Sequence, residues 1–200
     1  LRALLALLLA LVIATPLLAS AAPANTITFT DKSGTASTNY PLQFGRPFIK
    51  GEIPNYPQVL INGTPATTQA DVKNRFPDGS VEFAVISVVI PSIPANGTVT
   101  LTLQNQTSGN NPPLTSSQML DSAYNFDAKM NLAFPSGTTG SASARTMLTN
   151  GDYKLWTSGQ IAQTVEIADD TTARKYDLGN GDGYHPFRPR FYATFWPATH

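Results

Sequence analysis

The stretch RFPDGSVEFAVISVVI, residues 75–90, decides the fold because it joins a turn signal to a long apolar run. Pro77 presets its own φ, and Asp78 can accept a hydrogen bond from the backbone just beyond it. Gly79 tolerates the positive φ that a tight turn requires. The stretch therefore predicts a chain reversal followed by a strand.

The apolar run from residue 81 to residue 90 contains only two polar side chains, Glu82 and Ser87. A strand that is apolar on both faces is typical of a central position, covered on both sides. The acid in the turn before this strand, Asp78, could act in catalysis or could stabilise the turn. Asp78 has only Arg75 and Glu82 as titratable neighbours along the chain, so we interpret it as a turn residue.

Strand and turn signals continue on both sides of this hairpin. Apolar and polar residues alternate over residues 26–30, 67–76 and 98–103, as in strands with one wet face. Residues 39–58 carry four prolines and favour edge strands and turns. Pro91 is expected to end the central strand. No comparable helical periodicity is present, so the first part of the chain is predicted to be all-β.

The polar stretch QNQTSGNNPP, residues 104–113, is the best internal boundary. It divides the chain into a signal peptide (1–21), a β-barrel-like domain (22–106), a linker (107–117) and a second β-domain (118–200). In the second domain we predict a short helix near residues 116–122. Strands are expected over the segments 126–134, 160–168 and 190–196, and a loop over SGTTGSAS, residues 136–143. The predicted fold class is all-β, with part of a β-sandwich-like domain after the barrel-like one.

The overall composition excludes several classes of function. Charged residues make up 13% of the chain and the formal net charge is +0, so no basic surface is available for nucleic acid. The sequence has 0 cysteines, which excludes disulfides, thiol catalysis and cysteine-ligated metals. Hydrophobic residues make up 42%, which is enough for a core.

The first residues resemble a secretory signal. Arg2 precedes an apolar stretch, and Ala19-Ser20-Ala21 fits an A-x-A cleavage site. The alternative is a membrane anchor, but Pro16 interrupts a stretch that is already short of the roughly 20 residues needed to span a bilayer. We expect secretion, to the extracellular space or the periplasm, without a stable membrane anchor. Both ends look cut, so we expect a fragment of a longer protein.

Catalytic and metal-binding patterns are sparse. The 2 histidines, His185 and His200, have no evident catalytic partners. The loop DLGNGDG, residues 177–183, is rich in oxygen ligands but lacks the spacing of an EF-hand, and a solvated turn explains it as well as calcium does. We predict no catalytic residue, no metal site and no cofactor in this chain.

Aromatic residues are the best candidates for ligand contact. In the predicted last strand, Tyr192 and Trp196 share one face, while the other face is suited to a core. Together with Trp156 they are our carbohydrate-binding candidates, because flat amphipathic rings stack on sugars. The alternative is that another sheet covers both faces of this strand.

The order of motifs resembles the N-terminal RIFT-barrel-like β-domain of secreted bacterial proteins similar to exo-acting rhamnogalacturonan lyases. The resemblance covers about residues 26–106. It rests on PLQFGRPFIKGEIP, on NGTPATTQADVKNRFPDGSVEFAVISVVIP and on the strand PANGTVTLTL. Its most telling residues are Phe44, Gly45, Pro47, Phe48, Gly51, Gln69, Asp78, Gly79, Ser80 and Val81.

The resemblance implies a scaffold role for this part of the chain. In that family the front domain is a β-barrel, a second β-domain adjoins it, and a helical toroid further on carries the lyase chemistry. This chain has no such toroid pattern, so no catalytic role carries over to its residues. We expect a non-catalytic β-domain fragment of a polysaccharide-degrading or polysaccharide-binding protein. The alternatives are part of a lyase whose site is completed by further sequence, with His185, Arg188, Arg190 or the acids near residues 177–182 contributing to it, and a structural surface or adhesin domain. Oligomeric state stays open.

Overall fold

The computed structural model describes residues 25–172, 175–179 and 187–199. The expected signal peptide, His185, His200 and most of the loop considered for calcium lie outside the described residues. Within the described part, no helix has the length and apolar character needed to cross a membrane.

Strands dominate the described residues, and the helices are short, so the all-β prediction is confirmed. The elements follow in chain order: β1 (Thr26–Thr30), β2 (Ser37–Pro47), β3 (Tyr56–Ile61), β4 (Thr64–Pro65), β5 (Thr68–Arg75), β6 (Val81–Ile93), β7 (Thr98–Gln106), α1 (Ser116–Met119), β8 (Lys129–Ala133), β9 (Thr139–Ser143), α2 (Ala144–Thr149), β10 (Tyr153–Thr157), β11 (Gln163–Ala168) and β12 (Arg190–Phe195).

The first unit consists of two antiparallel sheets with an apolar core between them. One sheet has the order β1-β7-β3-β4 and the other β2-β6-β5. The described strands form no closed barrel. Strand β4 has only 2 residues, and Pro65 lacks the N–H that would extend the ladder toward β5. The first unit, which we predicted to be barrel-like, is therefore an open pair of facing sheets.

The central strand β6 is covered on both faces, as predicted. Ile86, Val88 and Ile90 lie in the core between the two sheets. Ser87 points the other way and is also fully buried, because the second unit covers the outer face of this sheet. The alternation of β1 and β7 is confirmed too, with the threonines of β1 exposed and the apolar residues of β7 in the core.

The prediction that Pro91 ends the central strand is wrong. Strand β6 continues to Ile93, which pairs with Ser37 of β2. Pro91 and Asn39 are both left out of the register, and Asn39 has a φ of 50°. A local irregularity of the edge strand β2 therefore accommodates the missing N–H of proline.

Asp78 is a turn residue, as predicted. Its Oδ1 accepts hydrogen bonds from the Ser80 backbone N–H at 3.1 Å and from the Ser80 hydroxyl at 2.6 Å. Gly79 has a φ of +88°, and its N–H donates to the carbonyl of Phe76. These bonds lower the pKa of Asp78, the Ser80 hydroxyl being the largest cause. The carboxylate thus organises the β5–β6 hairpin.

We predict that Asp78→Ala lowers the melting temperature by a few degrees, because two local hydrogen bonds in the turn are lost. Asp78→Asn is the matched control, since its amide oxygen can still accept from Ser80. Because the folded-state pKa of Asp78 is lowered, its contribution to stability is present above the ordinary pKa and is lost as the pH falls through the lowered value. Thermal unfolding followed by circular dichroism checks this; equal melting temperatures for all three proteins would contradict it.

The second unit is built on the antiparallel sheet β10-β11-β12. Val165, Ile167 and Phe195 project from this sheet into a second core. Helices α1 and α2 and the rings of Tyr124 and Phe126 cover that face. Strands β8 and β9 form a separate two-stranded hairpin. Along the sequence, the residues of the first core precede the polar segment near residues 104–113, and the residues of the second core follow it.

Several elements of the second unit differ from expectation. Helix α1 lies where a short helix is predicted, but α2 has no counterpart in the expectations. The second half of SGTTGSAS is strand β9 and not loop. Ser143 ends that strand and caps α2, its hydroxyl accepting from the Thr146 N–H at 3.1 Å. Small polar residues give weak strand and helix signals, which explains the error. The last strand ends at Phe195, one residue earlier than predicted.

A buried polar row joins the two units. Ser87 pairs in register with Gln43 on one side and Gln69 on the other. The Gln69 Nε2 donates to the carbonyl of Ala162 at 2.7 Å. Its Oε1 accepts from the N–H groups of Ile161 at 3.2 Å and Ala162 at 3.0 Å. One side chain thus satisfies the backbone of the loop between β10 and β11.

The segment after β7 is hydrogen-bonded to both units. The Ala70 N–H donates to the carbonyl of Gly109 at 2.8 Å. The amide of Asn111 donates to the carbonyl of Ser158 at 2.9 Å, and the Ser158 hydroxyl donates to the carbonyl of Asn111 at 3.0 Å. The predicted linker is therefore an ordered strap across β5 and the β10–β11 loop.

We predict that Gln69→Ala destabilises the protein by about 3 kcal/mol, because buried backbone groups of Ile161 and Ala162 lose their partners. Urea unfolding followed by circular dichroism and tryptophan fluorescence measures this. The control Gln104→Ala removes an exposed amide that bonds only Gln58, and it should change stability by less than about 0.5 kcal/mol. Similar small effects of both substitutions would show that Gln69 does not hold the units together.

Candidate functional site

The three aromatic residues proposed for carbohydrate contact do not share one surface. Tyr192 is 71% exposed on β12, opposite Glu166 of β11. Trp196 follows β12, is half-buried, and begins a turn closed by the Thr199 N–H at 3.0 Å. Trp156 lies on β10, the other edge of that sheet, and is 56% exposed. The face of Phe191 and Phe195 belongs to the core, as expected, while Tyr192 is left uncovered.

Trp156 is exposed because of a β-bulge. Leu155 pairs with Val165 and Thr157 pairs with Thr164, so Trp156 is the extra residue between them. The next side chain, Thr157, is buried and accepts a hydrogen bond from the Thr164 N–H at 3.0 Å. A bulge re-aims side chains relative to the pleat of the strand. Here it leaves a tryptophan ring facing solvent.

Lys73, from the first unit, lies over this ring. Its Nζ is 4.6 Å from the centroid of the Trp156 ring, within the range of a cation–π interaction. The same ammonium group donates a hydrogen bond to the carbonyl of Trp156. The exposed ring and its cation therefore come from different units.

A polar groove of about 360 Å³ runs along the outer edge of β5, next to this pair. Strand β5 is an edge strand, and its register shifts between Val72 and Arg75, which redirects the side chains there. The lining residues come from β5, from β3 and from the strap: Asp71, Val72, Lys73, Asn74, Arg75, Tyr56 and Asn111.

Arg75 is held at the far end of the groove by uncharged partners. Its guanidinium donates to the carbonyls of Gly79 at 2.8 Å and Asn55 at 2.9 Å, and lies 5.1 Å from the Tyr56 ring centroid. Among the described residues, no carboxylate forms an ion pair with Arg75 or Lys73. By contrast, Arg46 is paired with Glu52 at 3.0 Å. The groove thus presents two cations without an acidic partner at ion-pair distance.

Asp71 forms the inner wall of the groove and is almost completely buried. Its Oδ2 accepts from the Nε2 of Gln69 at 2.9 Å, and its Oδ1 accepts from the Ser158 N–H at 2.8 Å. Burial raises the pKa of this carboxyl, and the hydrogen bonds and the Lys73 charge oppose that shift only in part. Asp71 therefore connects the groove to the loop that follows Trp156.

The described lining of the groove contains one acidic side chain and two cations. Among its described lining residues Asp71 provides the only carboxyl group, whereas hydrolysis of a glycosidic bond typically uses two. Neither histidine lies within the described residues. In the same part of the chain, no group of three or more His, Cys, Asp or Glu side chains could hold a metal ion.

The residues considered for an alternative active site are engaged in ion pairs. Arg188 lies 3.6 Å from a carboxylate oxygen of Asp177. Arg190 bonds Glu166 and, at 2.9 Å, Asp170. These ion pairs give the charges of Arg188 and Arg190 a structural role. His185 and residues 180–183 of the loop considered for calcium are not among the described residues.

Comparison with protein-family models, with curated proteins and with solved structures gave no match.

Lys73, Arg75, Asp71 and Asn111 are site residues that sequence reasoning missed. The alternation of β5 places Gln69, Asp71, Lys73 and Arg75 on one polar face, which reads as a uniform solvated surface. The structure buries the first two under the second unit and leaves the last two at the groove. The sequence contains no signal for that division.

Proposed function

We propose that this chain is a non-catalytic binding module for polysaccharides that carry anionic groups. The glycan lies along the edge of β5, with one sugar ring stacked on Trp156. Lys73 and Arg75 neutralise carboxylate or sulfate groups of the chain. The observation that carries this proposal is the exposed, bulged Trp156 beside a groove whose cations form no ion pair with any described carboxylate.

The chemistry of the groove supports a sugar polymer in particular. Trp156 offers a flat apolar surface, and the amides of Asn74 and Asn111 offer hydrogen-bond donors and acceptors. An open groove on a rigid sheet edge suits an extended chain that passes through it. Nucleic acid would need a larger excess of positive charge than a formal net charge of +0 supplies.

The wider context is proposed from the sequence. The apolar N-terminal stretch supports export, and the resemblance to the front domain of rhamnogalacturonan-lyase-like proteins supports a secreted bacterial parent that degrades or binds polysaccharide. The described residues give no specific support to an adhesin, or to a lyase site completed by further sequence. Both are outcomes of the tests below.

We predict that Trp156→Ala weakens binding to polygalacturonate about tenfold, the equivalent of about 1.4 kcal/mol, because the stacking surface is lost. Tyr192→Ala is the matched control, since it removes an exposed aromatic ring from the far strand of the same sheet. Affinity electrophoresis of the purified chain measures retention by the polymer. Equal retention of Trp156→Ala and wild type would overturn the proposed site, and a loss only in Tyr192→Ala would move it to β12.

Lys73→Met tests the charge requirement in the same assay. This substitution keeps most of the unbranched apolar side chain and removes the ammonium group. Retention by polygalacturonate should fall and become less sensitive to salt, while retention by neutral dextran should not change. An equal loss on both polymers would mean that the groove does not recognise anionic groups.

We also predict that the purified chain cleaves no acidic polysaccharide. Lyase chemistry needs a base near the proton α to a uronate carboxyl group and a group that neutralises that carboxyl group. The groove supplies cations, but both oxygens of Asp71, the carboxyl group in its described lining, already accept hydrogen bonds from Gln69 and Ser158. Incubation with pectic polymers and measurement of unsaturated product by ultraviolet absorbance tests this. A steady increase that is abolished by His185→Ala would replace the binding module with an enzyme.

A further inference from the structure

Asp71 has a position that groove binding alone does not explain. It lies on β5 two residues before Lys73, and its carboxylate is covered by the loop of the second unit. Its Oδ1 accepts from the N–H of Ser158, which is two residues after Trp156. Asp71 is therefore linked to both members of the Lys73–Trp156 pair. It lies two residues from Lys73 on the same strand, and it accepts a hydrogen bond from the backbone two residues after Trp156.

We propose that Asp71 is a positioning residue for the glycan site, which fixes the Trp156 bulge through Ser158 and holds Lys73 at the groove. This inference rests on the proposed function, because it concerns the same site. It adds a regulatory property: the site is assembled only while the Asp71 carboxylate carries its charge.

The hydrogen-bond geometry explains why a proton disrupts the site. Both oxygens of Asp71 accept from N–H donors, Oδ1 from Ser158 and Oδ2 from Gln69. A proton on Asp71 removes the charge that strengthens both hydrogen bonds, and it turns one acceptor site of the carboxyl group into a donor. The attraction between Asp71 and Lys73 is lost at the same time. The Trp156 bulge and the Lys73 ammonium group are then no longer held in place by the Asp71 carboxylate.

The other charged groups at this site do not produce the same response. Lys73 and Arg75, on the same strand, and Tyr56, on β3, line the groove with Asp71. The strap contributes Asn111 and the β10–β11 loop contributes Ser158, neither of which titrates. Asp71 is thus the one carboxyl group in the described lining of the groove, and its charge is lost as the pH falls through its raised pKa.

The direction of the pH effect separates positioning from folding. Because burial raises the pKa of Asp71, the folded state holds this proton more tightly than the unfolded state does. Through Asp71, stability therefore falls as the pH rises between the ordinary and the raised pKa. Glycan affinity should change in the opposite direction and fall as the pH drops through the raised pKa.

The experiment measures retention by dextran sulfate and by polygalacturonate from about pH 8 down to about pH 4, which is close to the ordinary pKa of a carboxyl group. Sulfate esters stay ionised throughout, so a loss of affinity on dextran sulfate belongs to the protein. We expect wild-type affinity to fall about tenfold on both polymers toward the acidic end. Asp71→Asn should bind about tenfold more weakly at pH 8 and show no further decrease. Its histidines are unchanged, so a persisting pH profile would assign the effect to them and overturn the inference.

A spectroscopic readout tests Asp71 independently of any ligand. The chain has 2 tryptophans, so a Trp196→Phe background reports Trp156 alone. Trp156 emission should shift as the pH falls, and the shift should vanish in Asp71→Asn. Ser158→Ala is the matched control, because it keeps the backbone N–H that Asp71 contacts, and it should retain the wild-type profile. A pH-independent Trp156 emission in wild type would overturn the inference. If wild type binds neither polymer at pH 8 but the emission shift is present, the proposed function fails while the positioning role stands.

Discussion

The side-chain amide of Gln69 is the contact on which the arrangement of the molecule depends. Its Oε1 and Nε2 bond the N–H and C=O of Ala162, just as a neighbouring strand would. A buried amide that is fully bonded costs little, whereas a missing partner would leave backbone groups unsatisfied in the interface. Gly159 allows this approach, because a Cβ there would collide with the amide. The docking of the two units is therefore specified by polar geometry.

The same interface creates the groove. The second unit covers β5 as far as Asp71, and the strand then bulges away from it toward Arg75. Residues before that point face a protein surface and are bonded to it. The polar side chains after it, Lys73 and Arg75, lie at the groove along the edge of the sheet. Lys73 stands at the boundary, where it reaches back to Trp156, so the end of the interface and the binding surface are the same place.

Local sequence signals predicted two kinds of element: turns that are stabilised by their own side chains, and strands that have the same environment on both faces. The turn at Asp78 follows from its own backbone chemistry, and β6 is apolar on both faces because both are covered. Pro91 was misread because the compensating irregularity lies in β2, far away in sequence. The site was only partly accessible for the same reason. Trp156 is an evident aromatic candidate, but its bulge and its contact with Lys73 depend on how two units dock, which periodicity does not encode.

A site shared by two units has a thermodynamic consequence. Trp156 belongs to the second unit, while Lys73 and Arg75 belong to the first, so the site exists only while the units are docked. Its apparent affinity is reduced by the fraction of molecules in which docking is lost. A glycan that contacts both units must in turn stabilise the docked state, by an amount set by its concentration relative to Kd. Under the proposed binding mode, the Gln69 contact and the glycan therefore act on one equilibrium, although Gln69 is buried and does not line the groove.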